Sequence, residues 1–145
     1  MILFLDANIL IWRFEGLSPF YIAARAALDE LAKAHPDASL AVSRLSWLEC
    51  RIKPLRDRDL VLLTRYEELF VGGIRVVELS AEVVDQAAEL RAKHNLKTPD
   101  ALQAASALHL PGPLTFVTGD SAFARVPGLN VRMVKPRTAV RRSTS

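Results

Sequence analysis

The sequence is poor in cysteine and lacks long apolar runs, which argues against a disulfide-bonded, secreted or membrane-spanning protein. Cys50 is the only cysteine among 145 residues, so no disulfide can form within the chain, and a reducing compartment agrees with this. The apolar residues 1–5 have no basic region before them and are interrupted by Asp6, which is not typical of a signal peptide. No stretch approaches the ~20 apolar residues of a membrane span, so we expect a soluble, cytoplasmic protein without membrane contact.

Histidine is also scarce, and its placement excludes a histidine-based site. The three histidines do not have the spacing of metal ligands, and none stands where a general base is expected: His35, His94 and His109. Internal repeats, low-complexity segments and linkers are absent as well, so the chain is expected to form one domain.

Charge is unevenly distributed along the chain. The net charge is +3, yet residues 121–145 contain six basic and no acidic side chains, which leaves 13 basic and 16 acidic ones in the rest. A basic end beside an acidic body favours contact with a polyanion. The last few residues could equally form a solvated, frayed end.

Strand and helix patterns alternate along the chain. Short apolar runs predict strands at 2–5, 40–42, 74–79, 114–118 and 131–134. Amphipathic or capped segments predict helices at 19–34, 43–50, 59–69, 81–94 and 98–108, with Pro54 ending or kinking the second of them. This alternation predicts an α/β fold with a mostly parallel central sheet of about four to five strands and helices on both faces.

Four carboxylates lie where such a sheet would bring side chains together. Asp6 directly follows the first strand and Asp120 follows the fourth, and ligands of parallel sheets bind at the carboxyl ends of the strands. Glu49 and Asp100 lie in or at the start of helices. Each acid alone has a structural explanation: a cap for Asp6, a capping box with Ser46 for Glu49, the helix dipole for Asp100 and a turn for Asp120.

The four acids together predict a metal site. Hard divalent cations prefer oxygen ligands, and Mg²⁺ is commonly held by a few carboxylates and several waters. Clustered carboxylates raise one another's pKa unless a cation neutralises them. A metal bound there can activate water and stabilise charge on a phosphoryl oxygen.

Four segments carry a family resemblance. Leu5–Leu10, Leu45–Glu49, Thr98–Ala105 and Thr118–Phe123 resemble the motifs of PIN-domain ribonucleases, in the same order and spacing along nearly the whole chain. The compact length resembles VapC-type toxins of toxin–antitoxin pairs. The resemblance implies a single PIN-like nuclease domain over residues 1–138 and a basic, disordered C-terminal tail over residues 139–145.

The resemblance also implies a function and a set of site residues. It implies a toxin that hydrolyses RNA with water activated by Mg²⁺ or Mn²⁺, forms a homodimer and is inhibited by a cognate antitoxin. Asp6, Glu49, Asp100 and Asp120 match the catalytic and metal-binding acids, the last being the most variable position in the family. Asn8 and Thr118 match supporting polar positions near the metal.

Three alternatives follow from the same residues. Arg51 and Lys53, next to Glu49, either contact RNA phosphates at the rim of the site or are ordinary helix-surface charges. A haloacid-dehalogenase-like phosphatase would use Asp6 as its nucleophile, but the second acid of its D-x-D pattern is replaced by Asn8. A PIN-like module that binds RNA or protein without catalysis is the remaining alternative, although the presence of all four acids argues against lost activity.

Overall fold

A computed structural model describes residues 1–16 and 18–136. Within them, the strands are β1 (Ile2–Leu5), β2 (Ser39–Ser43), β3 (Arg75–Val77), β4 (Leu114–Thr118) and β5 (Val131–Met133). The helices are α1 (Ala7–Glu15), α2 (Phe20–Ala34), α3 (Arg44–Asp57), α4 (Leu60–Val71), α5 (Ala81–His94) and α6 (Thr98–Leu108), with a 3₁₀ helix at Ser121–Arg125. The predicted domain end at residue 138 and the predicted tail 139–145 lie outside the described residues.

The strands form one sheet in the order β3-β2-β1-β4-β5, and all four strand pairings are parallel. The α/β fold predicted from the alternating pattern is therefore confirmed. Since β1 lies at the centre and pairs Leu5 with Val117 of β4, the residues that follow these two strands emerge side by side at the carboxyl edge of the sheet.

Apolar cores cover both faces of the sheet, as expected for a parallel sheet. On β1, Leu3 and Leu5 pack into a core with α1, α2 and α4, whereas Phe4 points to the other face. There the Phe4 ring stacks on Phe116, with ring centroids 5.4 Å apart, beside the small residues of α6. The alanines of α6 are buried, and this tight packing holds the first turn of α6 close to the sheet edge.

The third helix differs from its prediction. Ser43 caps α3, because its Oγ accepts a 3.1 Å hydrogen bond from the Leu45 amide. The helix is therefore already running at Ser46, and Glu49 lies inside it rather than in a capping box. Pro54 does not end the helix, which continues to Asp57; this buried proline removes only one backbone donor in the last turn.

Other element ends agree with the sequence to within a few residues. A nine-residue helix, α1, follows Asp6 directly, in a segment for which no helix was predicted. The second helix begins at Phe20 instead of Pro19, and β3 covers only residues 75–77 of the predicted 74–79. Asn95 ends α5 in the left-handed conformation, with φ of 55°. None of the described helices is long and apolar enough to cross a membrane.

Candidate active site at the carboxyl edge of the sheet

Asp6 is a buried carboxylate held by two hydrogen bonds. Its side chain lies at the junction of β1 and α1 and is only 5% exposed. The Ala7 amide donates to Oδ1 at 2.8 Å, and the Thr118 hydroxyl donates to Oδ2 at 2.6 Å. Thr118, the last residue of β4, is fully buried. The parallel pairing of β1 with β4 thus fixes the orientation of Asp6.

Asp120 is tied to the same edge through Thr118. The Asp120 amide donates to Thr118 Oγ1 at 3.0 Å, so one hydroxyl donates to Asp6 and accepts from Asp120. The Asp120 carboxylate caps the 3₁₀ helix by accepting from the Ala122 amide at 2.9 Å. The turn role expected for Asp120 is therefore present, and its second oxygen is not used in that cap.

Gly119 lies between Thr118 and Asp120 and packs closely against the ring of Trp12. A β-carbon at Gly119 would overlap the six-membered ring of Trp12 from α1. The Gly119 amide donates to Oδ1 of Asn8 at 3.3 Å. Asn8, predicted as a supporting polar residue, therefore joins α1 to the turn that carries Asp120.

Glu49 projects from α3 and is held by a residue that the sequence did not single out. Gln103 of α6 is 1% exposed, and its side-chain amide donates to Glu49 Oε1 at 3.3 Å and to Ser46 Oγ at 2.9 Å. Its own Oε1 is buried without a hydrogen-bond partner among the described residues. Gln103 thus orients Glu49 across the contact between α3 and α6.

A second polar contact joins the same elements. The Ser106 hydroxyl lies 2.9 Å from Ser43 Oγ, and both side chains are fully buried. The available signal was the presence of polar residues, Gln103 and Ser106, on an otherwise alanine-rich and buried helix. Buried polar groups require partners, so they point to neighbouring polar groups on another element.

The four acids influence one another electrostatically. Burial raises the pKa of Asp6 to about 7, and Asp100 and Glu49 add to this rise, while the Thr118 and Ala7 hydrogen bonds oppose it. Burial and the charge of Asp100 also raise the pKa of Glu49. Burial and the charge of Asp120 raise the pKa of Asp100, against the lowering effect of Lys97 and Arg125. Each of the four predicted acids therefore lies within electrostatic range of at least one other.

The donor set fits a hard divalent cation. The predicted ligands offer carboxylate oxygens, and a positive charge would favour the ionised forms of Asp6, Glu49 and Asp100, whose pKa values are raised by burial and by neighbouring acids. Within residues 1–16 and 18–136, no three His, Cys, Asp or Glu side chains are close enough to hold an ion as they stand. The chemistry of the carboxylates therefore fits a hard cation, and their role as ligands stays a prediction.

The two predicted RNA-contacting cations have protein partners. The Arg51 guanidinium lies 4.3 Å from the centre of the Trp47 ring, a cation–π geometry. Lys53 Nζ lies 3.6 Å from Oε1 of Glu15, whose Oε2 accepts from the Tyr66 hydroxyl at 3.2 Å. RNA contact by Arg51 and Lys53 stays a prediction.

A cleft of about 690 Å³ adjoins Asp100 and Asp120, and we call it the α5–α6 cleft. It lies between the turn that joins α5 to α6 and the 3₁₀ helix. Asp100 and Asp120 form part of its wall together with three basic side chains: Arg91, Lys97 and Arg125. The candidate site is thus an acidic cluster with a basic wall on one side.

Comparison with known proteins identifies the family of this fold and site. The PIN domain family model matches residues 3–129, and the chain therefore belongs to the PIN domain family. No curated protein sequence matches significantly. The predicted resemblance to PIN domains is confirmed over almost the whole described chain.

Solved structures of toxin–antitoxin complexes share the fold. A chain of a toxin–antitoxin complex from Klebsiella pneumoniae is 29% identical with a TM-score of 0.66; the alignment covers 94% of this chain and 98% of that one. A chain of VapBC2 from Rickettsia felis, solved with a DNA fragment from its promoter, is 20% identical with a TM-score of 0.69, over 93% and 100%. The chain is therefore similar to VapC-type PIN proteins in fold and extent.

Proposed function

We propose that the chain is a Mg²⁺- or Mn²⁺-dependent endoribonuclease, the toxin of a type II toxin–antitoxin pair. The observation that supports this proposal is that each of Asp6, Glu49, Asp100 and Asp120 lies within electrostatic range of at least one other, with the pKa values of the first three raised. Membership of the PIN domain family supports nuclease activity. The product of the reaction is RNA cut by hydrolysis of one phosphodiester bond.

The residues of the chain divide the work of such a site. Asp6, Glu49, Asp100 and Asp120 would hold the cation, with Asp6 fixed by Thr118 and Glu49 fixed by Gln103. A bound divalent cation supplies stabilisation of charge on a phosphoryl oxygen and lowers the pKa of a water. Fixing these side chains before the substrate arrives reduces the reorganisation needed in the transition state. Asn8 holds the Gly119 amide and thereby the turn that carries Asp120.

The proposal includes partners and location. The Klebsiella pneumoniae and Rickettsia felis relatives are parts of toxin–antitoxin complexes, which supports a cognate antitoxin for this chain. A homodimer is proposed as well, since exposed apolar side chains on α3 would suit an interface: Leu48, Ile52 and Leu55. An RNA substrate supports the proposal of a cytoplasmic location.

Cleavage of a structured RNA pool by the purified chain tests the proposal. The assay runs in Mg²⁺, in Mn²⁺ and in EDTA, beside the Asp6→Ala variant and a Glu89→Ala variant, which removes an exposed acid outside the site. We expect cutting only with metal, loss of at least about 100-fold in Asp6→Ala, and unchanged activity in Glu89→Ala.

Two results would contradict this function. Equal cleavage by Asp6→Ala would show that the proposed site is wrong. Absence of cleavage by a folded wild-type chain that still binds RNA would favour the alternative, a non-catalytic PIN-like module.

A further inference from the structure

The α5–α6 cleft contains two exposed cations that, within the described part of the chain, form no ion pair with the acids of the site. Lys97 and Arg125 are exposed and line the cleft beside Asp100 and Asp120. Among residues 1–16 and 18–136, neither cation lies within 4.0 Å of a carboxylate oxygen. Two positive groups thus stand next to the proposed site without forming ion pairs with its acids.

The third cation of the cleft has a structural role. Arg91 donates from Nη1 to the carbonyl oxygen of Leu96 at 2.7 Å and so holds the turn between α5 and α6. Within the described part of the chain, the Arg125 side chain makes one long hydrogen bond, 3.4 Å from Nη1 to the carbonyl of Asn95. Lys97 occupies the N-cap position of α6 without a side-chain capping bond. Most donors of Lys97 and Arg125 are therefore available to a ligand.

The two cations next to Glu49 on α3, which we call the α3 rim, differ in this respect. Arg51 stacks on Trp47, and Lys53 pairs with the nearly buried carboxylate of Glu15. A ligand that recruited Lys53 would have to compete with this carboxylate. Lys97 and Arg125 form no such ion pair within the described part of the chain.

The chemistry required of the ligand follows from this arrangement. An acidic cluster repels a polyanion, so RNA needs cations close to the cluster in order to enter it. Lysine and arginine contacts to phosphates supply most of the affinity for a nucleic-acid backbone. Arginine adds directional donors that match phosphate oxygens.

We propose that Lys97 and Arg125 bind a backbone phosphate of single-stranded RNA adjacent to the one that is cleaved, so that the strand runs through the α5–α6 cleft. This inference rests on the proposed function, because RNA is the substrate in both. It adds the path of the strand and the two side chains that hold it.

The test compares double variants of equal charge. Lys97→Ala/Arg125→Ala removes the two cations, and Lys33→Ala/Arg75→Ala removes two exposed cations that do not line the cleft. Binding of a fluorescent single-stranded RNA is measured by anisotropy in Ca²⁺ at several salt concentrations, and cleavage is measured in Mg²⁺. Lys53→Ala tests the α3 rim in the same assays.

The expected result is specific to the cleft variant. Its RNA affinity falls at least about tenfold, and the slope of log affinity against log salt becomes less steep by about 0.7, the value for one neutralised phosphate of a single strand. Its KM rises while kcat stays within about twofold. The matched control variant and Lys53→Ala change much less.

Four results would overturn the inference, and they separate it from the proposed function. If wild type binds and cuts RNA but the cleft variant keeps its affinity and salt slope, the strand does not use this cleft. If the control variant loses as much affinity, the loss in the cleft variant reflects net charge alone. If Lys53→Ala loses as much affinity, RNA contacts the α3 rim and not specifically the cleft. If wild type neither binds nor cuts RNA, the proposed function itself is overturned.

Discussion

Thr118 donates a 2.6 Å hydrogen bond to Asp6 across the central strand pair, and both side chains are buried. This bond lowers the pKa of Asp6, but burial and the neighbouring acids raise it by more, so that the resulting pKa is about 7. Asp6 is therefore a carboxylate whose ionised form is hydrogen-bonded but poorly solvated. A protein retains such a group at a cost in stability, which a bound cation would offset.

The metal-free protein should lose stability as the pH rises. An aspartate with an ordinary pKa of 3.8 when unfolded and about 7 when folded favours folding fully below pH 3.8, and this contribution disappears as the pH passes 7. The difference corresponds to roughly 4 kcal/mol. In EDTA, we expect a lower melting temperature at pH 8 than at pH 5.5, and Mg²⁺ should raise it more at pH 8.

Two variants isolate the contribution of Asp6 to this pH dependence. Asp6→Asn cannot ionise, so the gap in unfolding free energy between variant and wild type should widen between pH 4 and pH 7 in favour of the variant. Thr118→Val removes the hydroxyl that lowers the pKa of Asp6, so the loss of stability with rising pH should occur at a higher pH than in wild type. A gap that stays constant with pH would show that Asp6 ionises normally in the folded chain.

The sheet and the family could be predicted from the sequence, because each depends on local patterns. Apolar strand runs and the order of four motifs are visible in the printed chain, and Asp6, Asp100 and Asp120 follow strand ends or helix starts. The sequence pattern did not predict α1, because its apolar residues directly follow those of β1 and only Asp6 separates the two elements.

What the sequence could not supply are the contacts between distant elements. The pairing of Gln103 with Glu49 spans 54 positions, and that of Thr118 with Asp6 spans 112. These contacts depend on the register of α3 against α6 and of β1 against β4, which local propensity does not determine. The same reason explains why Arg51 and Lys53, adjacent to Glu49 in the chain, have partners on other elements.

Cys50 should be unreactive in the folded protein. Its side chain is 1% exposed, and burial together with the charges of Glu49, Glu15 and Asp6 raises the pKa of the thiol far above its usual range. Reaction with Ellman's reagent should therefore follow the urea unfolding curve. The Cys50→Ala variant provides the zero-signal control, and rapid stoichiometric reaction in native buffer would contradict the buried placement.

Gly119→Ala should destabilise the chain by about 1–3 kcal/mol, because the added methyl group overlaps the Trp12 ring. Urea unfolding of the variant measures the loss. Since the backbone of Gly119 does not require a positive φ, the effect should arise from this contact alone. In a double-mutant cycle, Trp12→Leu should therefore remove most of the penalty of Gly119→Ala. Additive losses would show that the glycine serves another purpose.

Gln103→Met should separate stability from activity. Methionine has a similar volume, removes the two donated hydrogen bonds to Glu49 and Ser46, and also removes the buried Oε1 that has no partner among the described residues. Because these effects oppose each other, we expect the unfolding free energy to change by less than about 1 kcal/mol. Cleavage should fall about tenfold, since Glu49 loses its orienting donor.

The contrasting variant is Gln103→Glu, which keeps the shape but places a second carboxylate against Glu49 at a position that is 1% exposed. Repulsion and desolvation should lower the stability of the metal-free variant by roughly 2–3 kcal/mol, measured by urea unfolding in EDTA.

Mn²⁺ affinity, measured by the loss of the free-ion signal in electron paramagnetic resonance, should fall in Gln103→Met while its fold is intact. If Gln103→Met cleaves RNA and binds Mn²⁺ as wild type does, then Glu49 is oriented by its own helix and Gln103 only fills the contact between α3 and α6.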